Sequence, residues 1–401
     1  MAEQARISIS EYLSKDILDE DYLKGYSYFW RMEFVLGTCR VDARQRFVTT
    51  PTIFQKIYSL AIITFVVFGY YQIVQYNNRT NISRHDEIYL KIFLLGGVLY
   101  YSVLVVHSRF MRNRQNAEFH VKLSHCDRHL RSNYRDAAYY LIRANNLRVM
   151  TVLLVFLCPL LLLSLTRDIT LMIGAIAVII SQTTALVESV HCTSIMRSFT
   201  LRMRLVYYII MYHLKFIQNY VNLKEEPFIM EDRILKKLGS IKHTDFIEIS
   251  LDVYLKDIFA AFSRYQDNYR FEILVFRSKC IIAVVTVFRM VLFSFQNKMQ
   301  DFSGLIVMVT LVSLEIFGIF FFYAELFQWE VSRVKVSTVN VMSFYPSGPL
   351  RDKAKNIFDL IENSPPNFSV YGIWQMRAYT FISLLSTITW FLITVLQFEF
   401  L

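Results

Sequence analysis

Residues 378–398 read AYTFISLLSTITWFLITVLQF and contain no charged residue. At about 1.5 Å of rise per residue, a helix over this stretch just crosses a hydrocarbon core of about 30 Å. Several of its hydroxyl and amide side chains fall on one stripe, which suits a helix facing water or other helices better than a lipid-facing anchor. We predict the lining of an ion path, formed when several copies of the chain meet. The stripe consists of Thr380, Ser383, Thr387, Thr394 and Gln397.

The composition of the whole chain is that of a membrane protein. Hydrophobic residues make up 54% of the 401 residues, aromatic residues make up 16%, and the mean hydropathy is +0.34. These values favour a polytopic all-α membrane protein over a soluble enzyme. The net charge of +10 would suggest nucleic acid in a soluble protein. Here the basic residues lie between apolar stretches, so we expect membrane lipids as partners and no nucleic acid.

Seven apolar stretches divide the chain, and no internal repeat relates them. The fifth is the weakest, because Arg289 interrupts it. We predict transmembrane helices at 57–76, 88–106, 149–166, 169–187, 278–296, 304–324 and 378–398.

Residues 188–277 and 329–377 alternate charged and apolar residues at helical spacing. We interpret them as cytoplasmic helical extensions that pack around a symmetry axis, since burying apolar area in water drives association. A solvated linker is the alternative. The predicted division is a cytoplasmic N-terminal segment (1–50), helices one to four (51–187), a cytoplasmic extension (188–277), helices five and six (278–328), a second cytoplasmic anchor segment (329–377) and the pore-lining seventh helix (378–401).

The distribution of basic residues sets the predicted orientation. With the N-terminus in the cytoplasm, the outside segments hold only Arg79, Arg84, Arg167 and Lys298 of the 43 Lys and Arg residues. Cytoplasmic loops carry the excess of Lys and Arg in membrane proteins. We therefore predict a multi-pass protein of the plasma membrane with its N-terminus inside and its C-terminus outside. G-protein-coupled receptors have the opposite orientation, which argues against that class.

Two glycosylation sequons agree with this orientation. Asn78 and Asn81 begin Asn-Arg-Thr and Asn-Ile-Ser in a predicted outside loop, so we expect both to be glycosylated, although either match can arise by chance. Asn367 also begins a sequon, but it lies in a predicted cytoplasmic segment and should stay unmodified. None of the five cysteines falls in an outside segment, so we expect no structural disulfide.

The sequence offers little for catalysis. His125 and His129 stand four residues apart beside Cys126, a spacing that one helical face can use for a metal. A solvated helix explains the same pattern, and we favour it. There is no Gly-rich phosphate loop, zinc protease motif or nucleophile–base constellation. We therefore predict no metal, no cofactor and no enzyme.

The end of the last stretch resembles a known signature. Trp390 and Phe391 are followed by five residues and then by Gln397 and Phe398. Insect gustatory receptors, which are inverted seven-helix proteins of about this length, end in Thr-Tyr, five hydrophobic residues and Gln-Phe. The Gln-Phe pair and the spacing match, whereas Trp-Phe replaces Thr-Tyr. Residues 368–372, FSVYG, are also similar to the segment that opens the last helix in that family.

This resemblance implies a gustatory receptor of the divergent bitter or orphan type. Such a receptor is a ligand-gated non-selective cation channel, opened by a small-molecule tastant. It is a homo- or heterotetramer with other gustatory receptors, and the last helix of each subunit lines a shared pore. An insect odorant-receptor-like channel subunit, a transporter and a non-conducting seven-helix receptor or scaffold are the alternatives.

The expected gate is the end of the last helix, at Thr394, Gln397 and Phe398. A ring of Phe side chains would exclude water from a constriction, and a ring of Gln amides would offer oxygens to a cation. A small helix rotation that exchanges the two rings would open the path. Ordinary interfacial positions for Gln and Phe are the alternative.

We place the ligand pocket in the outer halves of spans two to six, where ordinary helix packing is the alternative for each residue. Charges within spans should face protein or water and find a partner, so Arg289 and Glu315 are expected to pair or to line a cavity. Snorkelling of Arg289 to the head groups is the alternative. The pocket candidates are Tyr100, Tyr101, Ser181, Gln182, Phe288, Arg289, Phe293, Met308, Thr310 and Glu315.

Overall fold

The computed structural model is a bundle of long helices. It describes residues 18–42, 48–77, 84–165, 169–218, 244–297 and 303–400. A π-helical turn, His107–Met111, continues α3, and a 3-10 turn, Asp127–His129, follows α4. The described elements are α1 Glu20–Val35, α2 Ile53–Asn77, α3 Arg84–Val106, α4 Asn113–Cys126, α5 Ser132–Leu165, α6 Ile169–Gln218, α7 Asp245–Glu248, α8 Leu251–Asn297, α9 Ser303–Phe344, α10 Pro349–Asn363, β1 Ser369–Val370, β2 Trp374–Gln375 and α11 Ala378–Phe400.

Three helices run far beyond the apolar stretches that predicted them. α6, α8 and α9 contain 50, 47 and 42 residues. At 1.5 Å per residue each is roughly 60–75 Å long, about twice the thickness of a hydrocarbon core. They contain no proline, so nothing interrupts their backbone hydrogen bonds. Each helix therefore joins a predicted span and a charged segment in one rigid element.

α6 is the centre of the bundle and packs against α1, α2, α3, α5, α8 and α9. Its residues Ile195, Phe199, Met203 and Ile209 are fully buried. Aromatic residues of the neighbouring helices surround them: Phe199 packs against Phe262 of α8 and Phe327 of α9 at ring-centroid distances of 5.4 and 6.2 Å. The main core thus lies along α6.

A small β-hairpin separates α10 from the last helix, so the described part of the chain departs from the expected all-α fold there. Ser369 and Val370 pair with Gln375 and Trp374. The reversal between them places Tyr371 and Gly372 at φ values of 52° and 72°, a left-handed conformation that a helix does not contain. Gln266 of α8 donates a 2.8 Å hydrogen bond to the Ser369 carbonyl. The hairpin thereby fixes the start of α11 against α8.

The apolar helices agree with a multi-pass membrane protein. Among the described residues, Ile53–Gln75, Leu94–Met111, Leu171–Ile217 and Thr310–Phe344 are long and apolar enough to cross a membrane, and Ala378–Thr394 is a shorter apolar helix. The third and fifth predicted spans fall in α5 and α8, where several side chains lie outside the described residues. The count of seven spans and the orientation stay predictions. Asn78 and Asn81 lie outside the described residues.

Small residues allow α2 and α6 to approach closely. A Cβ added at Gly69 would lie 2.3 Å from the Cβ of Ala177 and 3.0 Å from the Ile173 carbonyl oxygen, and a Cβ at Gly174 would lie 2.4 Å from Ile73. Membrane helices commonly pack in this way, since lipid supplies no hydrophobic driving force between them and close van der Waals contact replaces it.

We predict that Gly69→Ala destabilises the protein by about 1–3 kcal/mol, because α2 must move away from α6. The measurement is thermal unfolding of the purified protein in detergent. Gly96→Ala is the matched control, since no described atom lies within 4 Å of its added Cβ. That change should be neutral or stabilise by about 0.5–1 kcal/mol. Equal melting temperatures for the two variants would contradict the close contact.

Candidate functional site: the bundle cavity and the last helix

A cavity of about 30 Å³, enough for one or two water molecules, lies between α3, α6, α8 and α9. Most of its wall is aromatic or aliphatic, and two carboxylates interrupt it. The lining residues are Tyr100 and Leu104 of α3, Glu188, Ser189 and Cys192 of α6, Tyr269, Glu272, Ile273 and Phe276 of α8, and Ile316, Phe317 and Phe320 of α9.

The two carboxylates are held by an arginine from the segment after α1. Arg40 Nη1 donates to Glu272 Oε1 at 2.6 Å, and its Nη2 donates to Glu272 and to Glu188. The side chains of Arg40, Glu188 and Glu272 are 1%, 4% and 7% exposed. Burial by itself would lower the pKa of Arg40, but the two carboxylates raise it well above its ordinary value. The guanidinium is therefore charged.

Two further groups complete this polar wall. His107 Nδ1 lies 3.3 Å from Glu272 Oε1. The guanidinium carbon of Arg40 lies 4.5 Å from the ring centroid of Tyr269, within range of a cation–π interaction. Because Tyr269 also lines the cavity, the cavity and the charged cluster share one wall.

The segment that carries Arg40 is fixed inside the bundle by its neighbours. Glu33 pairs with His191 of α6, and Arg109 donates to the Cys39 carbonyl. Burial raises the pKa of the Cys39 thiol to about 12, so the thiol is protonated.

Aromatic side chains of α1 pack α1 against the neighbouring helices. Tyr22, Tyr26, Phe29 and Trp30 are buried. The Tyr22 hydroxyl lies 2.8 Å from His120 Nδ1. Burial lowers the pKa of His120 well below its ordinary value, so the ring is neutral.

The structure brings only some of the predicted pocket residues near the cavity. Tyr100 lines it. Gln182 accepts a 2.7 Å hydrogen bond from Lys279, whose ammonium lies 4.6 Å from the Tyr100 ring centroid. Tyr101 donates to the Leu36 carbonyl at 2.9 Å, and Ser181 shares a 2.7 Å hydrogen bond with Tyr70 of α2. Tyr101 and Ser181 thus make contacts with other parts of the bundle.

Of the remaining predicted pocket residues, three have described side chains, and none of these three lines the cavity. Thr310 is buried, Phe288 is half-buried, and Glu315 is exposed on α9 in the protomer. The side chains of Arg289, Phe293 and Met308 lie outside those described, so the Arg289–Glu315 pair stays a prediction.

Sequence reasoning missed the charged cluster. Glu188 directly follows a predicted span and is the first residue of the predicted cytoplasmic extension, 188–277. The sequence signal for this cluster is the carboxylate of Glu188 itself, because it lies within a run of apolar and small residues. Nothing in the local sequence connected it to Arg40.

The two histidines that stand four residues apart contact other side chains. His129 Nε2 lies 3.0 Å from Asp257 Oδ2 of α8, and His125 Nε2 lies 3.2 Å from Arg128 Nη1. Within the described ranges, no group of three or more His, Cys, Asp and Glu side chains is arranged to hold a metal.

The last helix has one packed face and one open face. Leu384 and Ile388 are buried, and Phe381 packs against Gly318 of α9, where an added Cβ would lie 2.9 Å from the ring. Thr380 is also buried and donates to the Gln375 carbonyl at 2.8 Å. The other members of the predicted stripe are exposed: Ser383, Thr387, Thr394 and Gln397. The side chain of Phe398 lies outside those described.

The threonine hydroxyls of the open face donate to carbonyls of the same helix. Thr387 donates to the Ser383 carbonyl at 2.9 Å, and Thr394 donates to the Trp390 carbonyl at 2.9 Å. Such bonds let a helix carry hydroxyls through an apolar environment, and the oxygen lone pairs stay available to water or ions.

Aromatic contacts join the cavity wall to the packed face of the last helix. Phe317 lines the cavity and lies 4.9 Å from Phe321, which lies 5.7 Å from Phe381 of α11. A movement of the cavity wall can therefore reach α11 through direct contacts.

Comparison with known proteins finds a solved structure with a similar fold. No protein-family model and no curated protein matches this chain. Among solved structures, the chain is similar to the insect olfactory receptor OR5 from Machilis hrabei, in complex with eugenol, with a TM-score of 0.59 and 13% sequence identity. The similarity covers 94% of this chain and 100% of that chain. The two proteins share a multi-pass helical fold.

We predict that Arg40→Met destabilises the protein by about 3–5 kcal/mol, because it leaves two buried carboxylates without a countercharge. Thermal unfolding in detergent measures the loss. The triple variant with Glu188→Gln and Glu272→Gln should recover part of it.

The control is Lys335→Ala, which removes the exposed Lys335–Glu362 pair and should change stability by less than about 1 kcal/mol. If Arg40→Met and Lys335→Ala have the same small effect, the buried cluster is not the constraint described above.

Proposed function

We propose that this chain is a subunit of a cation channel of the insect chemoreceptor type, opened by a small organic molecule. In this proposal the last helix of each subunit lines a shared pore at the plasma membrane. The observation that carries the proposal is the division of α11 into a packed apolar face and an open hydroxyl face. The fold shared with an insect olfactory receptor supports it.

The open surface of α11 favours assembly with further copies. Tyr379, Ile382 and Trp390 are 61%, 66% and 69% exposed in the protomer, so the open surface carries large apolar side chains as well as hydroxyls. A helix with such a mixed surface fits a position where water lies on one side and a neighbouring subunit or lipid lies on the other. We propose a tetramer, as the resemblance of the tail to gustatory receptors implies.

Two observations bear on the kind of chemoreceptor. The structural similarity is to an olfactory receptor solved with eugenol, which favours an odorant-receptor-like subunit. The Gln397–Phe398 ending and residues 368–372 are the features that resemble gustatory receptors. We therefore propose a chemoreceptor channel with olfactory-type architecture, and a role in taste depends on those two features.

Ligand binding and pore opening are proposed to be coupled through the bundle. The cavity is the proposed ligand site, and the contacts from Phe317 through Phe321 to Phe381 connect its wall to α11. In the proposed gate, Phe398 closes the pore by excluding water and Gln397 offers amide oxygens to the passing cation.

We predict that the exposed face of α11 is accessible from the pore. In a Cys158→Ser background, which removes the exposed native cysteine, Thr387→Cys and Thr394→Cys should react with a charged thiol reagent and lose current. Leu384→Cys and Ile388→Cys, on the packed face, should react at least about tenfold more slowly, because burial protects the thiol. Whole-cell current during odorant application is the readout. Equal rates on both faces would refute the pore assignment.

We predict that Gln397→Ala changes single-channel conductance or ion selectivity, because it removes the proposed amide ring. Delivery to the cell surface should stay normal. It is measured by labelling intact cells with an antibody against a tag at the C-terminus of the protein. This labelling also tests the orientation, since the tag must be reachable from outside. Unchanged currents with normal delivery would remove Gln397 from the gate.

A further inference from the structure

Two arginine–aromatic contacts hold the β-hairpin against α8. The guanidinium carbon of Arg270 lies 4.7 Å from the ring centroid of Tyr371, and that of Arg277 lies 4.2 Å from the ring centroid of Trp374. The two arginines are about two helical turns apart, so both lie on the same side of α8. These four residues, which we call the arginine strip, border the hairpin along its length.

Three nitrogen atoms of the arginine strip are buried donors without an acceptor. Arg277 Nη1, Trp374 Nε1 and Arg270 Nε make no hydrogen bond to any described residue. All three are N–H donors, so they cannot satisfy one another. Native proteins leave few buried donors unpaired, because each has lost its hydrogen bonds to water. The strip therefore offers a set of donors to an acceptor from outside the chain.

The charge of the arginine strip favours an anionic acceptor. Burial lowers the pKa of Arg277, and no described carboxylate raises it. An arginine stays protonated in proteins, so Arg277 is a half-buried cation that no described residue neutralises. The carboxylates of this region are already engaged: Asp267 lies 3.5 Å from Arg270, and Glu325 accepts from the backbone N–H of Ala378 at 3.2 Å.

The arginine strip lies at the level where two predicted spans begin. Arg277 directly precedes the predicted span 278–296, and Arg377 directly precedes 378–398. In the predicted orientation both spans start at the cytoplasmic face, and Ile373 at the hairpin reversal is 67% exposed. Tryptophan and arginine at this depth face lipid head groups, and the cytoplasmic leaflet carries the anionic lipids. The nearest anions are therefore lipid phosphates.

We infer that the arginine strip binds the phosphate group of an anionic membrane lipid. Arg277 holds the phosphate, because guanidinium and phosphate match in charge and in the geometry of two parallel hydrogen bonds. Trp374 Nε1 donates to a further phosphate oxygen. Arg270, about 10 Å farther along α8, meets the outer part of a larger head group. The inference concerns the lipid around the protein and is independent of the proposed ligand and gate.

The test compares two lipids that differ in head group only. Purified full-length protein in detergent is titrated with dioctanoyl phosphatidic acid or dioctanoyl phosphatidylcholine, and thermal stabilisation gives the apparent Kd. We expect the phosphatidic acid to bind about tenfold more tightly, because the choline group adds a cation beside the arginines. Glycerol 3-phosphate, which carries the same phosphate without acyl chains, should bind at least about tenfold more weakly than phosphatidic acid.

Two variants test the two contacts. Arg277→Gln should reduce the tenfold preference for phosphatidic acid to about twofold or less. Trp374→Phe keeps an aromatic ring and removes the Nε1 donor, so it should reduce the preference to about threefold, the effect of one hydrogen bond. It also keeps the test valid if Arg277→Gln fails to fold.

The matched control is Arg333→Gln. The guanidinium carbon of Arg333 also lies over a tryptophan, 4.4 Å from the ring centroid of Trp329, but Arg333 already pairs with Glu330. The control removes the same charge as Arg277→Gln and should keep the full preference for phosphatidic acid.

Three results would overturn the inference. The first is equal affinity for the two lipids, and the second is glycerol 3-phosphate binding as tightly as phosphatidic acid, which would mark a site for free phosphate. The third is an equal loss of preference in Arg277→Gln and Arg333→Gln. That result would show a general attraction between anionic lipid and a protein with a net charge of +10, since both variants lower this charge by one.

Discussion

The buried guanidinium of Arg40 holds three distant parts of the chain together. It comes from the segment after α1 and binds Glu188 of α6 and Glu272 of α8. Removing these charges from water is costly, and only a geometry that satisfies several nitrogens and oxygens at once compensates for it. The contacts of Glu33 and Arg109 fix that geometry by holding the same segment. Residues 18–42 are therefore a structural part of the bundle.

The same cluster shapes the cavity. Glu188, Glu272 and Tyr269 belong both to the surroundings of Arg40 and to the cavity wall. A molecule that binds there changes the hydrogen bonding of residues that join α6 to α8. Phe317, which also lines the cavity, lies in the contact series that reaches Phe381 of the last helix. The fold thus connects a candidate ligand site to a candidate pore helix through Phe321.

The last helix shows how much of a site can be inferred from sequence. Its hydroxyl stripe is visible in the spacing of Ser383, Thr387, Thr394 and Gln397. The same spacing also includes Thr380, but that residue is buried, and its hydroxyl donates to the Gln375 carbonyl. The β-hairpin before the helix creates that contact, and no periodicity in the helix predicts it.

The sequence by itself determined the membrane character and the positions of the long apolar helices. Hydrophobic periodicity records how each segment partitions between water, lipid and protein, and that is a local property. The tertiary structure decided where the cavity lies and which charges it contains. Arg40 is separated from Glu188 and Glu272 by 148 and 232 residues. Their pairing depends on which helices become neighbours, because an ion pair at such separations forms only after the helices have packed.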